Sequence, residues 1–374
     1  MIRILFLIPN LGHGGAEKVL INLVNNMDCS KFDVTVMTLY DEGVHRGTLA
    51  SHVSYKSCFK QSFPGVAHIL KLFSPRFLYC QLIHDYYDII VSYLEGQTAR
   101  IISGCTNSSI KKVCWIHRTM DSMKDSVRLF RSVNEAKACY SSFDRIVSVS
   151  KDVQDAFMDL YHLDGKGIVA YNTNLSDLII QMSNQDIPSR IFEGTEFKIC
   201  AMGTLFPVKG FKRLLNVHKE LVQNGYHVHT YILGEGTEKK QLENMARQYG
   251  VEKTFTLLGY QKNPYAYMKH CDLFVCSSYS EGFSTAVTEA LILGMPVVTT
   301  KVSGMIELLG ENQNYGIVVD NNEQALLGGI KAVLDNPELR RHYQKQAKIR
   351  GREFLTESTV ETVEKIFTEL WEET

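Results

Sequence analysis

Two glutamates eight residues apart, Glu281 and Glu289, fall in Ser277–Pro296, SSYSEGFSTAVTEALILGMP, with a Gly-Phe turn and a helix-compatible run between them. Ser284 is a good N-cap, Thr285 to Leu293 can form a helix with one apolar face, and Gly294 with Pro296 supplies a stop. Glu289 then lies in the second helical turn. Because side chains lean toward a helix N-terminus, its carboxylate is directed back at the free amides of Ser284, Thr285 and Ala286, where a phosphate would also bind. Glu281 sits just ahead, in the loop. Such a set can place a diphosphate on amides, the vicinal hydroxyls of a ribose on one carboxylate and the hydroxyls of a sugar on the other. Acidic pairs at this spacing arise about 4 times by chance in a chain with this many acids, so spacing alone carries little. The context carries more: apolar strand, Ser-rich exit, Glu-Gly-Phe, capped helix, Gly-x-Pro and a second apolar strand.

Two carboxylates beside a diphosphate repel it, so the arrangement calls for a cation. Lys209 is the candidate, in a strand-to-helix loop between Gly203 and Gly210 within GTLFPVKGF. A solvated loop lysine is the ordinary alternative. Near the start, NLGHGGAEK follows an apolar strand and supplies Gly12, Gly14 and Gly15 where a backbone must come close to a ligand. The third glycine of a dinucleotide fingerprint is replaced by Glu17, which disfavours NAD chemistry. His117 closes a strand in KKVCWIHRTMD and emerges at the C-terminal sheet edge, where open α/β sheets bind ligands; a lone histidine is otherwise more often structural.

The elements that must carry these residues alternate strand with helix. Arg3–Pro9, Phe32–Leu39, Ile89–Val91, Lys112–Trp115 and Arg145–Val149 read as strands of one doubly wound domain. Tyr171–Arg190 reads as a polar, irregular bridge. Beyond it a second α/β domain runs through strands at 197–202, 230–233, 254–258, 273–276, 297–300 and 316–319. The fold class expected is thus α/β, with two Rossmann-like parallel-sheet domains, 1–171 and 172–355, facing a cleft. Val360, Val363, Ile366, Phe367 and Leu370 recur at helical spacing, so a last helix over about 356–374 is expected to pack back on the first domain.

Bulk properties fit. With 374 residues, 45% hydrophobic and 22% charged, the chain supports two ordinary soluble domains. A net charge of −1 gives no global pull toward nucleic acid. Residues 1–170 hold 19 Lys/Arg against 16 Asp/Glu and the remainder 21 against 25, so the halves carry +3 and −4. Nine scattered cysteines with no Cys-x-x-Cys pair suit a reducing cytoplasm. MIRILFLIPN reads as a first strand rather than a signal peptide, and no apolar stretch approaches the roughly 20 residues that span a bilayer. Between Glu42 and Asp85 there are Arg46, Lys56, Lys60, Lys71 and Arg76 and no acid, interleaved with Phe59, Phe63, Phe73, Phe77 and Tyr79. Cations with aromatics suit a peripheral contact of residues 43–84 with an anionic membrane; core aromatics beneath a solvated basic face would look the same.

Taken together, NLGHGGAEK, WIH at 115–117, GTLFPVKG, LGEG at 233–236, LLGYQKNP at 257–264, and EGFSTAVTEAL with LGMPVVTT resemble a retaining glycosyltransferase of family 4 with the GT-B fold, of the bacterial surface-glycan or glycolipid type. The resemblance runs nearly end to end. It implies catalytic roles for His117, Glu281 and Lys209: Glu281 on donor sugar hydroxyls, Lys209 on the diphosphate, His117 beside the hexose. It further implies a donor site of Gly15, Gly203, Thr204, Gly234, Gly259, Tyr260, Gly282, Phe283, Ser284, Thr285 and Glu289, the last on the ribose. No metal and no cofactor are implied: the co-substrate is a nucleotide sugar, UDP-hexose, and the sequence has no Asp-x-Asp motif. Two positions depart from the family pattern, Thr204 where an arginine is usual and Thr173 where a proline is common. The first directs attention to Lys212 and Arg213 as substitutes.

The reading expected is transfer of a hexose, with retention, to a lipid or lipid-linked glycan acceptor at the cytoplasmic membrane face. A sugar-nucleotide epimerase would instead convert donor without acceptor, and a non-catalytic sugar-nucleotide-binding subunit would release no UDP when acceptor is added.

Overall fold

The computed structural model describes residues 1–12, 14–63, 65–120, 122–188 and 191–373. His13 of the glycine loop, Asp121 at the end of the His117 segment, and Ser189 and Arg190 of the expected bridge lie outside them. The chain forms two compact units, one of Met1–Asn174 with Thr356 onward, the other of Leu175–Leu355.

Among the described residues the N-terminal unit has a seven-stranded parallel sheet of β1 (Ile2–Ile8), β2 (Phe32–Tyr40), β3 (Ser54–Phe59), β4 (Ile89–Ser92), β5 (Lys111–Ile116), β6 (Arg145–Ser148) and β7 (Gly167–Val169). Their order is β3-β2-β1-β4-β5-β6-β7, so the winding reverses between β1 and β4. Continuous apolar runs such as ILFLI in β1 are buried on both faces, as a helix-covered parallel sheet requires. The edge strands β3 and β7 escaped the sequence reading for the complementary reason. β3 is SYKSCF, largely exposed and without an apolar run, and β7 has three residues. Val360, Val363, Ile366, Phe367 and Leu370 of the helix Thr356–Glu372 are buried, with the Phe367 ring 5.8 Å from that of Phe6 on β1. At the junction Asn22 Nδ2 donates to the Thr173 carbonyl (3.0 Å) and Thr356 Oγ1 to that of Asn174 (2.7 Å). Asn172 to Asn174 are buried in this unit, which carries it three residues past the expected 171.

The C-terminal unit has, among the described residues, a six-stranded parallel sheet of β8 (Phe197–Met202), β9 (Val228–Leu233), β10 (Phe255–Gly259), β11 (Leu273–Cys276), β12 (Val297–Thr300) and β13 (Ile317–Val319). Its order is β10-β9-β8-β11-β12-β13, reversing between β8 and β11. Leu214, Leu215 and Leu221 of the helix Phe211–Gln223 and Leu326, Ile330 and Val333 of the helix Glu323–Asp335 join Ile199, Ile232 and Val298 of the sheet in one core.

One expectation is corrected here. Part of the supposed irregular bridge, Ser176–Ser183, is a helix with Ile179 buried. It begins at Leu175 with no side-chain cap, so the usual start signal is missing. Tertiary contacts hold it instead: Asn263 Nδ2 donates to the Met182 carbonyl at 2.8 Å, and Lys269 bonds Asn184.

Candidate active site

Open parallel sheets bind ligands outside the C-terminal ends of their strands, where the winding reverses. In the C-terminal unit that place lies between the loops after β8 and β11, and these are the loops that carry Lys209 and Glu281. Glycines let them approach. Gly210, in the left-handed region at φ 67°, has no room for a Cβ, which would lie 2.0 Å from the Ser277 carbonyl oxygen, and a Cβ on Gly234 would lie 1.9 Å from that of Gly203. Ser277 Oγ donates to the Lys209 carbonyl (3.0 Å) and Tyr279 N to that of Val208 (2.7 Å). Leu205 N donates to the Glu235 carbonyl at 2.9 Å, tying in the loop after β9.

Across this frame Lys209 Nζ donates to both oxygens of Glu281, at 2.7 and 2.9 Å, and Ser278 Oγ to Glu281 Oε1 at 2.6 Å. Glu281 is 10% exposed and Lys209 27%, so the pair is half-sheltered and still accessible from one side. Ser284 caps the helix Thr285–Ile292, its Oγ accepting from Val287 N at 3.4 Å. The first-turn amides of Thr285 and Ala286 have no intrahelical acceptor, which suits them to an anion. Glu289 is buried within this helix and its Oε1 accepts from the Tyr265 phenol at 2.9 Å. Burial raises the Tyr265 pKa, and the neighbouring carboxylate adds to the shift. Phe283 is buried, Gly282 abuts Gly304, Gly203 and Thr204 open the loop after β8, and Gly259 ends β10 with the exposed Tyr260 following it.

Neither substitute cation considered for the Thr204 position is at liberty. Lys212 Nζ lies 2.6 Å from Glu238 Oε1, an ion-pair approach without hydrogen-bond direction, since neither buried Glu238 oxygen has a hydrogen-bond partner among the described residues. Arg213 is buried, donates to Asn321 Oδ1 at 2.7 Å and stacks over the Tyr279 ring at 3.8 Å. Both brace the site's loops, so of the three cations considered Lys209 is the one that faces the switch point.

In the N-terminal unit the corresponding reversal brings the loops after β1 and β4 together, with His117 following β5. Gly15 opens the helix Gly15–Asn26, and a methyl group there would meet, beyond its chain neighbours and its own helix, no atom of the described residues within 4 Å. His117 N donates to Glu95 Oε2 (3.3 Å) and Arg118 Nε to Glu95 Oε1 (2.8 Å). The His117 residue is partly accessible, but its Nε2 is sealed from solvent and, like Tyr93 Oη and Trp115 Nε1 beside it, has no hydrogen-bond partner among the described residues. The His117 ring centroid lies 4.8 Å from that of Tyr93 and 6.3 Å from that of Trp115. Three orphaned polar atoms in one cluster are expensive unless a ligand or water serves them. Burial pushes the His117 pKa down to about 3, opposed only in part by a hydrogen bond with the Tyr93 backbone, so the ring is neutral near pH 7.

Several of these residues escaped the sequence reading. Tyr265 and Ser278 support the two glutamates, and Glu95 supports His117. Asn263-Pro264 is an N-cap and first-turn signal that fixes Tyr265 in the following helix, but nothing local shows that it meets Glu289. Of the five cations in 43–84, Arg46 pairs with Asp41 (2.9 Å) and Lys56 with Asp85 (2.5 Å), acids just outside the segment. Lys60, Lys71 and Arg76 have no acidic partner among the described residues. Among those residues no helix is long and apolar enough to cross a membrane, and no cluster of three or more His, Cys, Asp or Glu is placed to hold a metal ion.

Residues 183–350 match the family model described as glycosyl transferases group 1. Over 364 residues the chain is 26% identical to the N-acetylgalactosamine-N,N'-diacetylbacillosaminyl-diphospho-undecaprenol 4-alpha-N-acetylgalactosaminyltransferase of Campylobacter jejuni, covering 93% of this chain and 94% of that one. Among solved structures, Anabaena Alr3699/HepE in complex with UDP superposes with a TM-score of 0.78 at 19% identity over 98% of this chain and 100% of that one. The lipopolysaccharide outer core galactosyltransferase WaaB does so with 0.75 at 15% over 99% and 100%. The fold is thus of the GT-B type, and over residues 183–350 the chain is similar to the group 1 glycosyl transferases.

Proposed function

We propose that the protein is a retaining, metal-independent family 4 hexosyltransferase that moves a hexose from UDP-hexose to a lipid or lipid-linked glycan at the cytoplasmic face of the membrane. The observation that carries this reading is the Lys209–Glu281 pair at the switch point of the C-terminal sheet, beside the capped helix Thr285–Ile292. On this reading Lys209 and the first-turn amides take the diphosphate, Glu281 accepts from hexose hydroxyls and Glu289, steadied by Tyr265, from the ribose. Gly203, Thr204, Gly234, Gly259 and Tyr260 line the nucleotide, and Gly282 and Phe283 form the turn under the sugar.

The chemical problem is an oxocarbenium-like centre beside a leaving diphosphate. Negative charge grows on the leaving oxygen as the glycosidic bond lengthens, and Lys209 with the amides stabilises it in place of a divalent ion. The departing phosphate takes the acceptor hydroxyl's proton on the same face, which gives retention. A neutral His117 accepts from or donates to the hexose without adding positive charge near the centre, and Gly15 brings a backbone amide close. The lipid-linked acceptor draws support from the Campylobacter relative, whose name specifies a diphospho-undecaprenol substrate, and UDP from the Anabaena complex. A peripheral membrane contact through 43–84 draws support from Lys60, Lys71 and Arg76.

The test screens UDP- and GDP-sugars for thermal stabilisation, offers the best one with lipid-linked acceptors, and assigns the product's anomeric configuration by NMR. Donor conversion without acceptor, or an inverted product, would sink the reading.

A further inference from the structure

The sequence singled out residues 43–84 for cations and aromatics, and the fold gives them a shape that a flat membrane contact does not require. β3 and the helices Val66–Lys71 and Pro75–Leu82 enclose a groove of about 530 Å³ lined by Phe59, Phe63, Ile69, Phe73, Phe77 and Leu82. Phe59, Phe63, Ile69, Phe73 and Phe77 are all at least 36% exposed, and Phe73 stacks on Phe77 at 5.2 Å. So much contiguous apolar surface marks a binding site. Buried Arg100 stiffens the groove from behind, donating to the carbonyls of Leu70 (3.1 Å) and Phe73 (2.6 Å) while paired with Glu135 at 3.0 Å.

The groove adjoins a second cavity, of about 440 Å³, which Phe63 and Val66 also line and which carries His68, Arg118 and Arg128. Arg118 is shared with Glu95, whereas Arg128 is exposed and has no carboxylate partner among the described residues. An apolar trough beside a cavity that offers Arg128, and Arg118 shared with Glu95, is complementary to an amphiphile with a hydrocarbon chain and an anionic head. Its size is that of a ligand site, well short of a protein interface.

We propose that this groove takes the hydrocarbon chain of the lipid-linked acceptor as a single chain withdrawn from the bilayer, with the acceptor's phosphate-bearing head at Arg128 and Arg118. The inference rests on the lipid-linked acceptor of the proposed function and adds the site that reads its tail.

Farnesyl diphosphate and geranyl diphosphate, below their aggregation limits and without vesicles, are the probes, with inorganic diphosphate as the headgroup control. Each buried methylene strengthens binding about fourfold, so the longer chain binds at least about tenfold tighter. A benzophenone-bearing farnesyl diphosphate labels peptides within 58–82. Ile69→Glu, at an exposed rim position, weakens farnesyl diphosphate at least about tenfold and leaves inorganic diphosphate unchanged. Arg128→Gln weakens both. Equal affinity for the two chain lengths, or labelling confined to other peptides, would overturn the proposal, as would probe capture that occurs only on anionic vesicles and is insensitive to Ile69→Glu. UDP-hexose stabilisation of the same preparations keeps the two readings apart. If it persists while the prenyl probes fail, the groove assignment falls alone; if no nucleotide sugar stabilises the wild type, the transferase reading falls irrespective of the groove.

Discussion

Replacing Lys209 with methionine keeps most of the side chain's length and removes its charge, which separates two roles that the Lys209–Glu281 pair combines. In the free protein the change strips Glu281 of both Nζ contacts and leaves the Ser278 hydroxyl at 2.6 Å. Removing one partner of a fully buried pair costs about 3–5 kcal/mol and of an exposed pair about 0–1. With the side chains 27% and 10% exposed, an intermediate loss of about 1–3 kcal/mol follows, and Glu281→Gln in the Lys209→Met background should recover most of it. On the proposed function the functional loss has a different origin, one charge-assisted hydrogen bond to the leaving diphosphate, worth about 1.5–3 kcal/mol or roughly 10- to 150-fold in kcat/KM. Urea unfolding measures the first quantity; donor binding and transfer rates measure the second. The Lys209→Met/Glu281→Gln double variant should therefore be stable and inactive. Recovery of transfer in it to within twofold of wild type would show that the pair is only a brace and that the diphosphate's cation lies elsewhere.

Three further outcomes are expected. The methyl group of Gly15→Ala meets no atom of the described residues beyond its own helix and chain neighbours, so the unfolding free energy should stay within about 0.5 kcal/mol of wild type; a fall in transfer of tenfold or more, read against an unchanged Tm, would then report a ligand at that amide, and unchanged transfer would remove Gly15 from the site. His218, held between Thr230 Oγ1 and Thr254 Oγ1 at 2.9 Å each, has its pKa pushed down to about 3 by burial, as has His117. A depressed histidine binds fewer protons folded than unfolded, so its stabilisation is complete above about pH 6.5 and is lost as pH falls toward 3, at up to about 1.4 kcal/mol per pH unit for each ring; in urea titrations between pH 4 and 7, His218→Gln should flatten that slope, and an unaltered slope would contradict the assignment. Arg100→Met removes the guanidinium's bonds to Glu135 and to the Leu70 and Phe73 carbonyls behind the apolar groove, leaving Glu135 with its Arg131 contacts, and should cost about 2 kcal/mol or more in unfolding free energy, whereas a loss below about 1 kcal/mol would mean that the guanidinium contributes little.

What could be read from the sequence divides along a physical line. β11 and β12, Leu273–Cys276 and Val297–Thr300, were legible to the residue because strands buried on both faces must be continuously apolar. The cap at Ser284 was legible because a hydroxyl ahead of a helical run has few other uses. β3 was not, since an edge strand exposed along its length carries no period to detect, and neither was Ser176–Ser183, whose helix starts without a cap. At the site, Lys209 and Glu281 each stood out by local context, but their pairing links positions 72 residues apart, and the Tyr265 bond to Glu289 links positions 24 apart. Local composition records which residues can do chemistry; the topology decides which of them meet.

That meeting resolves a difficulty in the chemistry. A site with Glu281, Glu289 and Glu238 should repel a diphosphate, and no second cation stands at Thr204. Each acid nevertheless has a partner in the free protein: Glu281 has Lys209, Glu238 has Lys212, and Glu289 has the neutral phenol of Tyr265. Because Lys212 and Arg213 are committed to bracing loops, Lys209 is the cation that can change partner. On the proposed function it turns from the carboxylate to the phosphate, and the hydroxyls of the hexose take over as donors to Glu281. A nucleoside diphosphate without its sugar would draw Lys209 away and offer Glu281 nothing in return, so the exchange favours the intact nucleotide sugar over the product left after transfer. On the same proposal, a threonine rather than an arginine at position 204 matters less for holding the donor than for letting the nucleotide go.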